Sequence, residues 1–343
     1  MPASNPPPAA ALFGCAGPAL SDEERRFFAR VDPLGFILFA RNIESPEQVR
    51  TLVTSLRDSV GRADAPVLID QEGGRVQRLK PPHWRKAPPG EPFARLAEHD
   101  IAAAHEALRL NFRLIGRELA DLGIDVDCAP VLDVPVAGAH DVIGDRAYGR
   151  TPALVGDLAG EVMEGLLDEG VLPVIKHIPG HGRAMVDSHL ALPVVEASLA
   201  ELEAQDFPPF RQLRHAPWAM TAHVVYTALD ATAPATTSAK VIAQVIRGAI
   251  GFDGVLISDD LSMKALGGRF EDRTTASLAA GCDVVLHCNG EMAEMLAIAS
   301  VIRPLDDRAL GRLARAQAMK RVPTAFDTAA ATSQVEHLLG MVP

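Results

Sequence analysis

Short apolar runs with little polar alternation recur along the chain, and each is followed by a stretch with helical patterning. Strands of this kind are typical of a parallel sheet that helices cover completely. Eight such runs predict strands at residues 11–16, 35–40, 66–70, 124–132, 172–177, 218–225, 254–259 and 283–288. Eight alternating strand and helix units predict an α/β fold, a single-domain TIM (β/α)8 barrel.

Helix signals separate these strands. Ser21 and the acidic residues after it are typical of a helix cap and first turn, and Ser45-Pro46 is typical of the next helix start. Further helices are predicted at about residues 102–122, 152–169, 198–205, 208–214, 238–249, 272–280, 291–302 and 306–321, with a short one in the last twenty residues. An open doubly wound sheet is the alternative, but no GxGxxG motif follows an early strand.

The chain length of 343 residues allows one large barrel or two ordinary domains, and 48% apolar residues supply a sizeable core. No shift in composition marks a second domain. Residues 1–10 are rich in proline and are predicted to be an irregular tail. Residues 11–343 are therefore expected to form one catalytic barrel with C-terminal helices.

Charge and cysteine usage narrow the functional classes. The formal net charge of −11, without a Lys/Arg cluster, argues against a nucleic-acid partner. The four cysteines are far apart, which does not indicate a disulfide framework, and no CxxC or HExxH motif indicates a metal site. The N-terminus is a poor signal peptide and no run has the length of a membrane span, so a cytoplasmic protein without a membrane partner is expected.

Polar residues cluster at the ends of five predicted strands, where a barrel carries its active site. They are Asp70, Lys176-His177, His223, Ser258-Asp259-Asp260 and His287-Cys288-Asn289. Buried ionisable groups are costly unless they are paired or used, so five such strand ends indicate a functional mouth. Any single one could be structural, and Asp260 could simply cap the following helix.

The segment 172–193 is the densest in candidate chemistry. A strand ending on Lys176-His177 runs into a loop that is broken by glycines and carries Asp187 and His189. Strand-end carboxylates, an Asp-x-His pair and several cations suit a polar small molecule such as a sugar. Glycoside hydrolysis requires a nucleophile or base on one side of the anomeric carbon and an acid on the other.

Six motifs together resemble the β-N-acetylglucosaminidases of glycoside hydrolase family 3, of the short single-domain type. They are GFILFARN at 35–42, DQEGGRVQR at 70–78, GDRAYG at 144–149, KHIPGHGRAMVDSH at 176–189, SDDLSM at 258–263 and AGCDVVLHCN at 280–289. The resemblance implies that Asp259 is the nucleophile, His189 the general acid/base and Asp187 the residue that orients it. It also implies a sugar subsite formed by Asp70, Arg78, Arg146, Lys176 and His177.

The chemistry of these residue types agrees with the implied roles. An imidazole titrates near neutrality, so His189 could donate a proton and later accept one, with Asp187 fixing its tautomer. Placement on a loop with Gly180 and Gly182 predicts that the acid/base swings in after the substrate binds. His181 is expected to have a structural role in the loop.

Other positions are less closely tied to the implied chemistry. His223 is expected to support the subsite or contact the sugar. Ile178 and Arg183 depart from the family pattern, and Arg183 could alter contacts beyond the scissile bond.

The activity that the resemblance implies is a retaining exo-β-N-acetylglucosaminidase acting on small cytoplasmic glycans, with the GlcNAc–anhydro-muropeptides of peptidoglycan recycling as the expected substrates. No metal or organic cofactor is implied. A β-glycosidase or phosphorylase of other specificity is the alternative enzyme, and a catalytically silent sugar sensor is the alternative outside enzymes. The sequence does not specify the oligomeric state, although a monomer is plausible.

Overall fold

Eight parallel strands form a closed barrel in the computed structural model, which describes residues 6–340. In chain order they are β1 Ala9–Phe13, β2 Pro33–Leu38, β3 Val67–Ile69, β4 Val126–Asp127, β5 Leu172–Ile178, β6 Trp218–Thr221, β7 Val255–Asp260 and β8 Val284–His287. Each strand pairs with its sequence neighbours, and β1 closes the barrel by pairing with β8. The TIM-barrel prediction is confirmed, and the open sheet is excluded.

Helices follow the strands around the barrel. They are α1 Asp22–Val31, α2 Pro46–Val60, α3 Gly90–His99, α4 Ile101–Ala120, α5 Pro152–Asp168, α6 (Leu199–Glu201, the π-helical Leu202–Asp206, and Phe207–Gln212), the π-helix Val241–Ile250, α7 Phe270–Ala280, α8 Met292–Ala299, α9 Asp307–Ala318 and α10 Thr328–Gly340. Ser21 caps α1 in a capping box with Glu24, and Ser45 caps α2 with Pro46 in its first turn. No helix between residues 6 and 340 is long and apolar enough to cross a membrane.

Apolar packing fixes the first strands against their helix. Phe13 of β1 lies edge-on to Phe27 of α1, with ring centroids 5.6 Å apart, and Phe28 lies 5.1 Å from Phe36 of β2. All four rings are buried. Burying each contributes roughly 2 kcal/mol, so the strand ends are held on a rigid frame.

Several boundaries differ from the sequence prediction. Strand β1 begins at Ala9, so residues 9 and 10 belong to the barrel and not to the predicted irregular tail, whose residues 1–5 lie outside the described part. Strand β4 is two residues long rather than nine, because Pro130 has no N–H to donate to a neighbouring strand. The carbonyl of Pro130 still accepts a hydrogen bond from the backbone N–H of Lys176 at 3.1 Å, so the chain after β4 continues alongside β5.

Two further elements near the barrel mouth were not predicted. Helix α3 precedes α4, although its first turn contains Pro92, a residue that helix N-termini tolerate. The predicted sixth strand stops at Thr221, and Val225–Tyr226 instead pairs with Val194–Val195 in a small separate sheet. This second sheet fixes the far end of the loop that carries His189.

Candidate active site

A cavity of about 200 Å3, here called the inner cavity, opens at the C-terminal ends of the strands. Seven of the residues predicted for the site line it: Asp70, Arg78, Arg146, Lys176, His177, His189 and Asp259. Apolar side chains complete its wall: Ile37, Phe39, Val76, Met220, Met263 and Leu286. Asp187 lies in the adjoining cavity, whereas His181 and His223 are buried outside the inner wall.

A network of ion pairs forms one side of the inner cavity. Lys176 Nζ lies 2.8 Å from Asp70 Oδ1 and 2.6 Å from Glu72 Oε1. Arg78 Nη2 donates to Asp70 Oδ2 at 3.0 Å. Arg146 donates through Nε and Nη2 to the two carboxylate oxygens of Glu72, at 2.8 and 2.7 Å. Paired guanidinium and carboxylate groups of this geometry are rigid.

The network stays fully charged at neutral pH. Burial favours the neutral form of Asp70, but Lys176 and Arg78 outweigh it and hold the pKa of that carboxyl well below its usual range. Burial is also outweighed at Glu72, where Arg146 and Lys176 lower the pKa to about 2. Burial lowers the pKa of Lys176, yet its two carboxylate partners raise it overall. Lys176 therefore offers one remaining N–H to a ligand.

Two carboxylates important to this geometry, Glu72 and Asp133, were not singled out from the sequence. Asp133 Oδ2 lies 2.7 Å from His177 Nδ1, and its Oδ1 accepts the backbone N–H groups of His177 and His181. Burial raises the pKa of Asp133, but the two histidines outweigh burial and lower it to about 2. Because Nδ1 of His177 is engaged, Nε2 is the ring nitrogen left for a ligand.

Asp259 lies near the end of β7 and faces the same cavity. Its Oδ1 accepts the N–H of Asp260 at 2.8 Å. Burial favours its neutral form, but His223, His177 and that backbone N–H outweigh burial and lower its pKa. His223 is fixed by Thr236 Oγ1 at 2.7 Å from its Nδ1 and by the carbonyl of Asp260 at 3.0 Å from its Nε2. Asp259 is therefore an ionised carboxylate on a rigid support.

His189 and Asp187 form a hydrogen-bonded pair at the cavity rim. His189 Nδ1 lies 2.7 Å from Asp187 Oδ1, which also accepts the backbone N–H of His189 at 2.9 Å. The side chain of His189 is 64% exposed, and it lines both the inner cavity and its neighbour. Because Nδ1 of His189 is bonded to Asp187, Nε2 is the ring nitrogen that remains available for proton transfer.

The loop that carries this pair has a buried base and an exposed tip. Gly182 packs so closely that a Cβ there would lie 2.0 Å from the carbonyl oxygen of Val134, and Gly180 has a φ of +137°. Gly182 therefore serves close packing in the base, and Gly180 supplies a backbone conformation that residues with a side chain rarely adopt. In the tip, Ser188 Oγ lies 3.0 Å from His181 Nε2, and this contact ties the tip to the base.

Arg183 is bound to the helix that follows the loop. Its Nε donates to Asp206 Oδ2 at 2.7 Å, in the π-helical part of α6. Burial raises the pKa of Asp206 to about 6, even though Arg183 opposes this rise. Arg183 therefore fixes the base of the loop to a helix. Its suggested effect on contacts beyond the scissile bond stays a prediction.

Replacing Arg183 with Met is expected to destabilise the protein by about 3 kcal/mol, because it leaves the buried Asp206 carboxylate without its cation. In this variant the pKa of Asp206 in the folded protein should rise further above its unfolded value of about 4. A carboxyl group whose pKa is raised by folding makes the folded state less stable as the pH rises from the unfolded pKa to the folded pKa. Urea unfolding should therefore show a larger loss at about pH 8 than at about pH 5.

Two controls accompany this measurement. The double variant Arg183→Met/Asp206→Asn should regain part of the lost stability, since the unpaired charge is gone. Arg308 is exposed and has no side-chain ion pair in the described part, so Arg308→Met should change little. A loss for Arg183→Met that is equal at both pH values would contradict the role assigned to the ion pair.

Among residues 6–340, no group of three His, Cys, Asp or Glu side chains is arranged to hold a metal ion. The four cysteines are buried and reduced. Burial raises the pKa of each thiol, which makes all four poor nucleophiles. The chemical groups that the cavity offers are thus carboxylates, imidazoles and fixed cations.

Comparison with known proteins identifies the family. Residues 16–324 match the model of the glycosyl hydrolase family 3 N terminal domain. A β-hexosaminidase of Alkalilimnicola ehrlichii is 40% identical over 300 residues, covering 86% of this chain and 84% of its own. The crystal structure of NagZ from Neisseria gonorrhoeae in complex with N-trifluoroacetyl-D-glucosamine has a TM-score of 0.86 at 33% identity, covering 98% and 99% of the two chains. The chain therefore belongs to glycoside hydrolase family 3.

Proposed function

We propose that this glycoside hydrolase is a retaining exo-β-N-acetylglucosaminidase that releases terminal β-linked GlcNAc from small glycans. One observation carries the proposal: the ionised Asp259 and the Asp187-bound His189 line the same cavity. Asp259 lies on a rigid strand, and His189 lies on a loop. Retaining hydrolysis needs this combination of nucleophile and proton donor. The relatives named β-hexosaminidase and the NagZ structure with a glucosamine analogue support the choice of sugar.

In the proposed reaction, a carboxylate oxygen of Asp259 attacks the anomeric carbon while Nε2 of His189 gives its proton to the departing oxygen. The products of this step are a glycosyl ester on Asp259 and the released alcohol. Nε2 then takes a proton from water, the water oxygen attacks the anomeric carbon, and the ester bond to Asp259 breaks. The carboxylate is thereby regenerated.

Asp187 supports both steps electrostatically. Burial raises its pKa, but the backbone and ring N–H groups of His189 outweigh burial, so the pKa is lowered and the group stays a carboxylate. A carboxylate at 2.7 Å from Nδ1 stabilises the imidazolium that forms when Nε2 accepts a proton. His189, supported by Asp187, can therefore donate a proton in the first step and accept one in the second.

The charged network would hold the sugar itself. Asp70 presents carboxylate oxygens to hydroxyl groups, while Lys176 and His177 present N–H or imidazole nitrogen atoms at the same level of the barrel. Arg78 stacks its guanidinium 5.0 Å from the centre of the Phe39 ring, which fixes its direction. Because these groups are already paired and rigid, little ordering cost accompanies binding.

The substrates that we propose are GlcNAc–anhydro-muropeptides in the cytoplasm, where their hydrolysis would serve peptidoglycan recycling. This assignment comes from the resemblance to the family, and the site geometry is compatible with it. The inner cavity has a volume of only about 200 Å3, which favours one terminal sugar over a longer chain and so supports exo action. The leaving group must then extend past His189 toward solvent.

NMR of the first sugar released from an aryl β-GlcNAc substrate tests the activity, the sugar and the stereochemistry together. The β-anomer should appear first and then mutarotate, because two displacements at one carbon preserve its configuration. Release of the α-anomer first would contradict the retaining mechanism. Formation of a sugar phosphate when phosphate is added would instead identify a phosphorylase, and no turnover of any β-GlcNAc donor would favour a sugar sensor.

A further inference from the structure

Asp127, the last residue of β4, is a buried carboxyl group that the proposed reaction does not use. It pairs in register with Ile69, the last residue of β3. Its Oδ1 accepts the backbone N–H of Gln71 at 2.9 Å. Because Asp127 does not line the inner cavity, any effect that it has on a bound sugar must pass through the residues that it holds.

Gln71 connects this hydrogen bond to the charged network of the inner cavity. It stands between Asp70 and Glu72, the two carboxylates that Lys176 contacts. Its side-chain Oε1 also accepts the backbone N–H of Arg78 at 2.8 Å. One residue therefore fixes the backbone at three charged groups of the cavity wall, and Asp127 fixes that residue.

The surroundings of Asp127 favour its neutral form. Its Oδ2 has no hydrogen-bond partner among residues 6–340, and a buried carboxylate with a bare oxygen is costly. Burial raises the pKa of Asp127 to about 8, although the N–H of Gln71 and the charge of Lys176 oppose this rise. Asp70 and Glu72 add to the rise. Since Oδ1 already accepts an N–H, the proton belongs on Oδ2.

The titratable groups that act on Asp127 or feel its charge come from β4 itself and from three neighbouring segments: Asp70, Glu72, Cys128, Tyr148 and Lys176. Loss of the proton would place a third carboxylate near Asp70 and Glu72. The new charge would repel both of them and attract Lys176. Ionisation of Asp127 would thereby disturb the network that faces the sugar.

We infer that Asp127 is a positioning residue of the sugar subsite, which it fixes through the backbone N–H of Gln71. It acts in its neutral form and touches neither the sugar nor the reacting atoms. The inference rests on the proposed function for the identity of the sugar. It goes further by making the affinity for that sugar depend on a buried group behind the cavity wall.

Three variants separate positioning from folding: Asp127→Ala, Asp127→Asn and Asp125→Ala. Asparagine keeps an oxygen for the N–H of Gln71 and cannot ionise, whereas alanine offers no acceptor. Asp125 is the matched control, because its Oδ1 accepts the N–H of Val67, the first residue of β3, at 2.8 Å. That hydrogen bond is of the same kind but lies at the other end of the strand.

In Asp127→Ala, KM for an aryl β-GlcNAc should rise about tenfold, the effect of losing one buried hydrogen bond. The kcat should change less than about threefold, since the nucleophile and the proton donor keep their places. Asp127→Asn should keep the wild-type KM near neutral pH. Asp125→Ala should lower stability towards urea and leave KM unchanged. An unchanged KM in Asp127→Ala, or an equal rise in Asp125→Ala, would overturn the inference.

Calorimetric titration with GlcNAc tests the proton on Oδ2. The Kd of wild type should rise about fivefold between about pH 6.5 and about pH 9, because the sugar binds more tightly to the form with neutral Asp127. Asp127→Asn should lack this rise, and it decides the matter even where the alanine variant does not fold. An equal rise in both proteins would contradict the role of the neutral acid.

Hydrogen exchange distinguishes this inference from the proposed function. Without any ligand, amides of residues 70–79 should exchange faster in Asp127→Ala than in wild type, and at the wild-type rate in Asp127→Asn and Asp125→Ala. If wild type hydrolyses no aryl β-GlcNAc, the proposed function fails, and this measurement still decides whether Asp127 holds the segment. Unchanged exchange of residues 70–79 in Asp127→Ala would refute the positioning role.

Discussion

Replacement of Asp259 by Asn is expected to lower kcat for an aryl β-GlcNAc substrate by about four orders of magnitude. The amide preserves the shape of the side chain at the end of β7, but it lacks the negative charge that attacks the anomeric carbon and balances the oxocarbenium-like transition state. Wild-type protein incubated with a fluorosugar donor should gain the mass of one glycosyl group on the peptide that contains Asp259. The Asn variant should gain none.

Asp260 offers a control one residue away. It also borders the inner cavity, but its carboxylate accepts the N–H groups of Ser262 and Cys288 at 3.0 and 3.1 Å. Those contacts give it a structural task, so Asp260→Asn should weaken stability more than it weakens the chemical step and should still form the adduct. Labelling that moves to Asp260, or near wild-type rates in Asp259→Asn, would contradict the assignment of the nucleophile.

Most residues of the candidate site could be predicted from one rule: the active site of a (β/α)8 barrel lies at the C-terminal ends of its parallel strands. The same rule applies to Asp133, which follows the fourth predicted strand directly. Glu72 lies two residues after Asp70 in one motif, but its role depends on Arg146, which is 74 residues away in sequence and donates to both of its carboxylate oxygens. A pattern in sequence identifies chargeable groups, whereas their pairing depends on which loops meet in space.

Backbone details were harder to predict than the barrel. The shortness of β4 follows from Pro130, a local signal that the apolar run of 124–132 obscured. Gly180 and Gly182 were interpreted as sources of mobility, but a close approach to Val134 and an unusual φ explain them in the structure. Glycine permits both motion and tight packing, and only the neighbouring atoms distinguish the two. The predicted swing of the loop stays a prediction, for which the exposed tip is the relevant part.

His189→Ala should affect substrates according to how much their leaving groups need a proton. For an alkyl or sugar leaving group, kcat/KM should fall by about three orders of magnitude, whereas a dinitrophenyl group departs as a stable anion and should lose only about tenfold. Asp187→Asn should give an intermediate loss with the same dependence, because His189 keeps its place but loses the charge that stabilises its protonated ring. The measurement is the slope of log kcat/KM against leaving-group pKa, which should steepen in both variants.

Leu190 supplies the matched control for this series, since it lies one residue from His189 on the exposed tip and its side chain is largely in solvent. Leu190→Ala should keep the wild-type slope even if the tip becomes somewhat looser. Azide should accelerate the second step in His189→Ala, because an anion that needs no deprotonation replaces water as the nucleophile. Losses in His189→Ala that are equal for alkyl and dinitrophenyl leaving groups would show that the residue holds the loop or the sugar, and the proton donor would then have to be sought elsewhere on the cavity wall.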